Sequence, residues 1–178
     1  MENNNFELIK EIIIRSPPTY WDLIYKKPKY DTSGKLIEKQ RFYLTNNLFY
    51  ADRSSYHITS KIIQDCKIFL KENIGFLPEL EKMRLESEYR SIKDIDIDNK
   101  LGFWVKLLLD VLKIPTSRQI ENSVKRKKEI ITTNTIYDDT TKCIDEITMK
   151  WKKDEHVLIF RIYGRAKSEQ KELNLFFK

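Results

Sequence analysis

Hydrophobic residues fall in two rhythms along this chain. Phe6 to Arg15 is apolar, ends in Ile12, Ile13 and Ile14, and stops at Ser16-Pro17-Pro18. β-Branched residues followed by prolines favour a strand over a short helix. After Ser54 and Ser55, candidate caps, Ile58, Ile62, Cys66 and Phe69 recur at helical spacing as far as Asn73, and Gly75 and Pro78 follow; a helix is predicted there. Met83, Leu85, Ser87 and Tyr89 then alternate with charged residues, the period of a strand. Phe103, Leu107 and Val111, with Trp104 and Leu108, give a wide apolar face to a helix predicted from about Asn99 to Lys113. Polar Thr116 to Glu129 predicts a short helix, and Ile130 to Tyr137 a second strand ending at Asp138-Asp139. Cys143 to Trp151 alternates again. His156 to Tyr163 is almost continuously apolar and predicts a strand central in a sheet. Thr19 to Asn47 shows neither rhythm. It reads as a long basic, aromatic loop with a hairpin near Asp31-Thr32-Ser33-Gly34. Gly164 to Lys178 reads as a charged tail.

The order of elements predicts an α+β domain with a mixed sheet, and 178 residues fit one domain. Apolar residues at 40% suffice for a core. Lys and Arg number 33 against 27 Asp and Glu, a net charge of +6, which favours a polyanionic partner such as nucleic acid. A basic protein without such a partner has the same composition. Two distant cysteines, Cys66 and Cys143, exclude a zinc ribbon and a disulfide scaffold and read as reduced core thiols, as in the cytoplasm. Four glycines leave no Gly-rich phosphate cradle. The N-terminus lacks a signal peptide's basic head and apolar run, and no stretch predicts a membrane span.

Chemistry concentrates in Asp96-Ile97-Asp98-Asn99, just before the apolar helix. Carboxylates at i and i+2 of an extended segment point the same way, and two or three aspartates are hard oxygen ligands of the kind Mg²⁺ takes. Asp138-Asp139 ends another predicted strand and could bring the third acid. Simpler explanations exist: Asp98 as a helix cap, Asp96 in a solvated loop, Asp138-Asp139 as a turn. A calcium loop beginning at Asp94 is excluded, because Val105 stands at its twelfth position. Asp145-Glu146 has Thr148 where a D…ExK nuclease has lysine. The basic positions Lys26, Lys27, Lys125, Arg126, Lys127 and Lys128 are candidate phosphate contacts. Tyr20, Trp21, Tyr25 and Phe42 could stack on bases or pack in the core.

Taken in order, strand, D-x-D-N, amphipathic helix with an interior lysine and aspartate, strand, D-D and two further strands resemble the RusA family of Holliday junction resolvases. The resemblance runs over about Met83 to Gly164, with Asp110 resembling the family's helix aspartate. It implies a RusA-like fold with helices packed mainly on one face of the sheet. It implies a homodimer that cuts four-way branched DNA, in a bacterial cell or phage-infected host. It also implies Mg²⁺, with Mn²⁺ as a substitute, held by Asp96, Asp98 and Asp139 with Asp138 in support, and a catalytic lysine. Two departures stand out. Gly102 occupies the family's lysine position; Lys100 is too close to the aspartates, while Lys106, four residues before Asp110, has the family's Lys-to-Asp spacing and is the candidate catalytic lysine, the other reading being that the lysine role is absent or filled elsewhere. The connection Ile114 to Thr135 is longer than the family's and carries the Lys-Arg-Lys-Lys run. The alternative is a non-catalytic nucleic-acid-binding accessory protein.

Overall fold

The computed structural model describes residues 6–50, 56–126, 129–137, 140 and 142–166; the side chains of Lys26, Tyr56, Arg126 and Ala166 fall outside that description. The strands are β1 (Glu7–Arg15), β2 (Tyr20–Tyr30), β3 (Leu36–Tyr43), β4 (Leu80–Arg90), β5 (Ile144–Lys152) and β6 (Val157–Ala166). The helices are α1 (Tyr56–Ile74), α2 (Ile97–Leu112) and α3 (Ser117–Arg126), with a 3-10 turn at Asn46–Tyr50. Four strands form one mixed sheet in the order β1-β6-β4-β5, and β2 and β3 form a separate two-stranded sheet. β4 and β5 are parallel, joined by the crossover through α2 and α3, whereas β6 runs antiparallel to both its neighbours, β1 and β4.

Register explains which face is buried. Leu85 lies between Ile162 and Ile147, Ser87 between Phe160 and Met149, and Tyr89 between Leu158 and Trp151. This row, with Ile12 and Ile14 of β1, packs against Ile62, Cys66, Leu70 and Ile74 of α1 and Leu101, Phe103, Trp104, Leu108 and Val111 of α2. The helices therefore cover one face. The intervening positions carry charge instead: Arg161 Nε is 2.7 Å from Glu11, and Glu88 is held between Arg90 at 2.5 Å and Lys152 at 3.1 Å. Burial raises the Glu88 carboxyl, but hydrogen bonds from Arg90 and Lys152 prevail and hold it below its usual range. Cys66 and Cys143 are buried free thiols, and burial pushes Cys66 up to about 12. No helix among the described residues is long and apolar enough to cross a membrane.

Three expectations change. Thr19 to Asn47 is mostly a β-ribbon rather than a loop: Tyr20 pairs with Tyr43 and Tyr30 with Leu36 across a turn at the expected Asp31–Gly34. Ile130 to Tyr137 is extended but not a strand of the sheet. Its N–H groups go to the end of α2 instead, Thr133 to the Val111 carbonyl at 2.8 Å and Thr135 and Ile136 to Leu112 at 2.8 and 3.0 Å. Those carbonyls have no intrahelical partner, so the segment satisfies a helix end rather than a ladder. The charged tail begins later than Gly164, since β6 continues to Ala166; residues 167–178, like Ser54 and Ser55, lie outside the described residues.

Candidate nucleic-acid interface at the head of α2

Six residues separate the end of β4 from α2, and Asp96 caps the helix. Asp96 has extended backbone (φ −76°, ψ 103°), and its Oδ1 accepts the Asn99 N–H at 3.1 Å. Asp98 is already helical, in the first turn, where a negative charge suits the helix dipole. The expected extended pair is thus corrected: two helical positions apart is roughly 200° of rotation, and the two carboxylates leave the backbone in different directions. Both are exposed, as is Asp94. Among the described residues no three acidic, histidine or cysteine side chains are gathered closely enough to hold a metal ion. In donor chemistry the head of α2 does fit Mg²⁺. Asp96 and Asp98 are hard oxygen donors, and Asn99 Oδ1 in the same motif is buried with no hydrogen-bond partner. Mg²⁺ is commonly held by one or two carboxylates completed by water and substrate phosphate.

The ribbon reaches this helix head through the 3-10 turn that follows β3. The Asn46 side chain donates to the Asp98 carbonyl. Phe49 packs on Phe103 with ring centroids 5.3 Å apart. A Cβ on Gly102 would meet Asn46 Nδ2 at 2.7 Å, so the missing side chain is what lets the turn close on α2. The position where the RusA pattern carries lysine is thus filled from another element. Lys106 lies two turns beyond Asp98, about 12 Å along the axis. Its Nζ sits 4.2 Å from the Phe49 ring centre and 5.0 Å from that of Tyr50. Lys100 is in the first turn and, after burial, is the second influence lowering the His156 imidazole; His156 Nε2 is 2.5 Å from the Tyr89 hydroxyl. Burial pushes that phenol up to about 12. Asn46, Phe49, Tyr50, Tyr89 and His156 have no local sequence signal. Their contacts with α2, or with each other, span roughly fifty residues or more.

On the ribbon, Lys27, Lys29, Lys35, Lys39 and Arg41 project from a structure exposed over most of its length. Asp22 is the counter-charge, 2.5 Å from Lys39 and 3.3 Å from Arg41, and the Lys39 hydrogen bond chiefly holds its carboxyl below the usual range. The Arg41 guanidinium stacks on Tyr20 at 3.8 Å, and Lys29 lies 4.5 Å over Tyr25. Trp21 and Phe42 pack against the core, so they are not free to stack on bases; Tyr30 and Tyr43 are exposed, at 62% and 67%.

The other predicted positions lie elsewhere. Lys125 is exposed at the end of α3, while the Arg126 side chain and Lys127 and Lys128 lie outside the described residues, as does the Lys26 side chain. Asp110 is tied to Lys67 at 2.9 Å and Lys113 at 3.6 Å, beside a cleft between α1, α3 and the end of α2. Asp138 and Asp139 lie outside the described residues. Of their neighbours, Tyr137 lines a hollow with Lys113, Ile114 and Pro115, and the Thr140 carbonyl accepts the N–H of Ile144 at the start of β5. Those neighbours stand at the far end of α2 from Asp96, a helix length of about 24 Å. No family model, curated protein or solved structure matches this chain.

Proposed function

We propose that this chain is a cytoplasmic, Mg²⁺-dependent endonuclease of RusA-like fold that cuts four-way branched DNA as a homodimer. One observation carries the reading: the Asn46 side chain ties the base of the cationic ribbon to the helix turn that bears Asp96 and Asp98. The base of the ribbon thereby adjoins the turn that bears the two carboxylates, and the ribbon's cations extend outward from it. Lys27, Lys29, Lys35 and Lys39 hold backbone phosphates, which makes binding salt-dependent and largely indifferent to sequence. Tyr30 and Tyr43 offer exposed rings to unpaired bases at a branch point. Asp96 or Asp98, each an exposed carboxylate at the head of α2, would hold the metal together with water and substrate phosphate, and the metal when bound would supply Lewis-acid activation of the phosphate and of water. Lys100, one turn from the pair, is better placed than Lys106 to offset charge at the reacting phosphate.

A homodimer brings two such surfaces together, one from each copy. Two sites related by a two-fold axis also suit the paired incisions a four-way junction requires. The second reading, a binding protein without catalysis, is favoured by the capping role of Asp96. A labelled four-way junction separates the two. With Mg²⁺ the wild-type chain should nick it in symmetrical pairs, and Asp98→Asn should bind it equally well and leave it intact. A wild-type chain that binds the junction and never cuts it sinks the nuclease reading.

A further inference from the structure

Among the described residues β5 is an edge strand, paired on one side only, with β4. We propose that two copies of this chain join edge to edge through β5, antiparallel, about a two-fold axis at Thr148. The pairing follows from the strand itself and stands whether or not the chain cuts DNA.

Backbone direction comes first. The Thr148 carbonyl accepts from Ser87 Oγ at 2.9 Å and the Lys152 carbonyl from the Ser91 N–H at 3.1 Å, so even-numbered residues of β5 turn their polar groups toward β4. The odd ones, Asp145, Ile147, Met149 and Trp151, turn theirs to the open edge. Nine residues of such an edge are a template for another strand, and natural proteins usually blunt or cover one. Here Ile147 and Met149, on the helix-covered face, remain 41% and 40% exposed.

Symmetry then limits the register. A two-fold antiparallel pair opposes residues whose polar groups point the same way, so the axis passes through a residue. With the axis at Thr148, Ile147 opposes the second copy's Met149, and Glu146 opposes its Lys150, each contact occurring twice. The sequence Glu-Ile-Thr-Met-Lys is thus complementary to itself read backwards. Neither Glu146 nor Lys150 has an ion-pair partner among the described residues. Moving the axis to Met149 would set Glu146 against Lys152, which already serves Glu88 at 3.1 Å. Moving it to Ile147 would set Glu146 against Thr148 and leave the charges unmatched.

The test is the mass of the full chain in solution across the micromolar range, by sedimentation equilibrium. Wild type should approach twice 21.5 kDa. Glu146→Lys or Lys150→Glu alone should weaken the dimer about tenfold, because each makes two like-charge contacts. The double variant Glu146→Lys/Lys150→Glu should recover most of the loss. Thr148→Cys should form a disulfide between copies on mild oxidation, the opposed Cα atoms being about 4.5 Å apart, and Lys150→Cys should not. These sites are at the edge and mostly exposed, so circular dichroism should be unchanged. A monomer at every concentration, a dimer indifferent to both reversals, or a double variant that is not rescued overturns the proposal.

Discussion

Gly102 exchanges helix propensity for an inter-element contact. Glycine inside a helix costs up to about 1 kcal/mol against alanine. The Asn46 hydrogen bond to the Asp98 carbonyl is worth a similar amount. Gly102→Ala should therefore change stability little in the native chain, yet stabilise an Asn46→Ala background by roughly 0.5–1 kcal/mol. Urea unfolding of the four members of that cycle checks it. Asp96 has two separable roles. Asp96→Ala should cost about 1 kcal/mol through the lost cap, while Asp96→Asn keeps an accepting oxygen and the stability and loses only what depends on a charged donor. Equal unfolding midpoints for Asp96→Ala and wild type would deny the cap any part in stability. His156 titrates below its usual 6.5 in the folded chain, through burial first and Lys100 second. The unfolded chain then binds more protons in that interval. Its contribution is complete above pH 6.5 and is lost as the pH falls through the lowered folded value. Melting curves from pH 8 to 5 should show this loss, and His156→Gln should flatten that part of the profile.

Among elements, the ribbon formed by β2 and β3 carries the binding prediction. Replacing exposed Lys27, Lys29 and Lys35 together by glutamine should leave the melting temperature nearly unchanged. It should weaken DNA binding at every sequence and make the salt dependence shallower, by up to about one unit for each phosphate no longer neutralised. Binding isotherms at several salt concentrations decide it. How far each element could be read from sequence follows from what covers it. α2, β4, β5 and β6 each bury at least part of one face, so their periods of 3.6 and 2 are written in Phe103, Leu107 and Val111 or in Met83, Leu85 and Tyr89. The ribbon buries little beyond Leu23, Trp21 and Phe42 near its base and carries no sustained imprint; only its turn residues mark it. Ile130 to Tyr137 misleads for the opposite reason. Its β-branched residues suit an extended chain, but the partner of that extended chain is a helix end, which local sequence does not announce. The acid pair stands out in the sequence as D-x-D-N. Its geometry does not, since the cap at Asp96 makes its neighbour helical.

At the scale of the whole molecule, one layer of helices on one mixed sheet gives a single core, and the strands contribute to it unequally. Phe160 in β6 is fully buried among both neighbours' rows, so Phe160→Ala should cost about 3–5 kcal/mol. Phe76, 85% exposed, should tolerate alanine within about 0.5 kcal/mol. Denaturant midpoints for the two variants test whether the sheet or the surface sets stability. The last described strand, β6, is also the wedge between β1 and β4. During synthesis the first strand must therefore wait for a strand partner until some hundred and fifty later residues have left the ribosome; no described strand made earlier pairs with it. A nascent chain arrested before Val157 should be open to proteolysis throughout β1, and emergence of Val157–Ala166 should remove that susceptibility in one step.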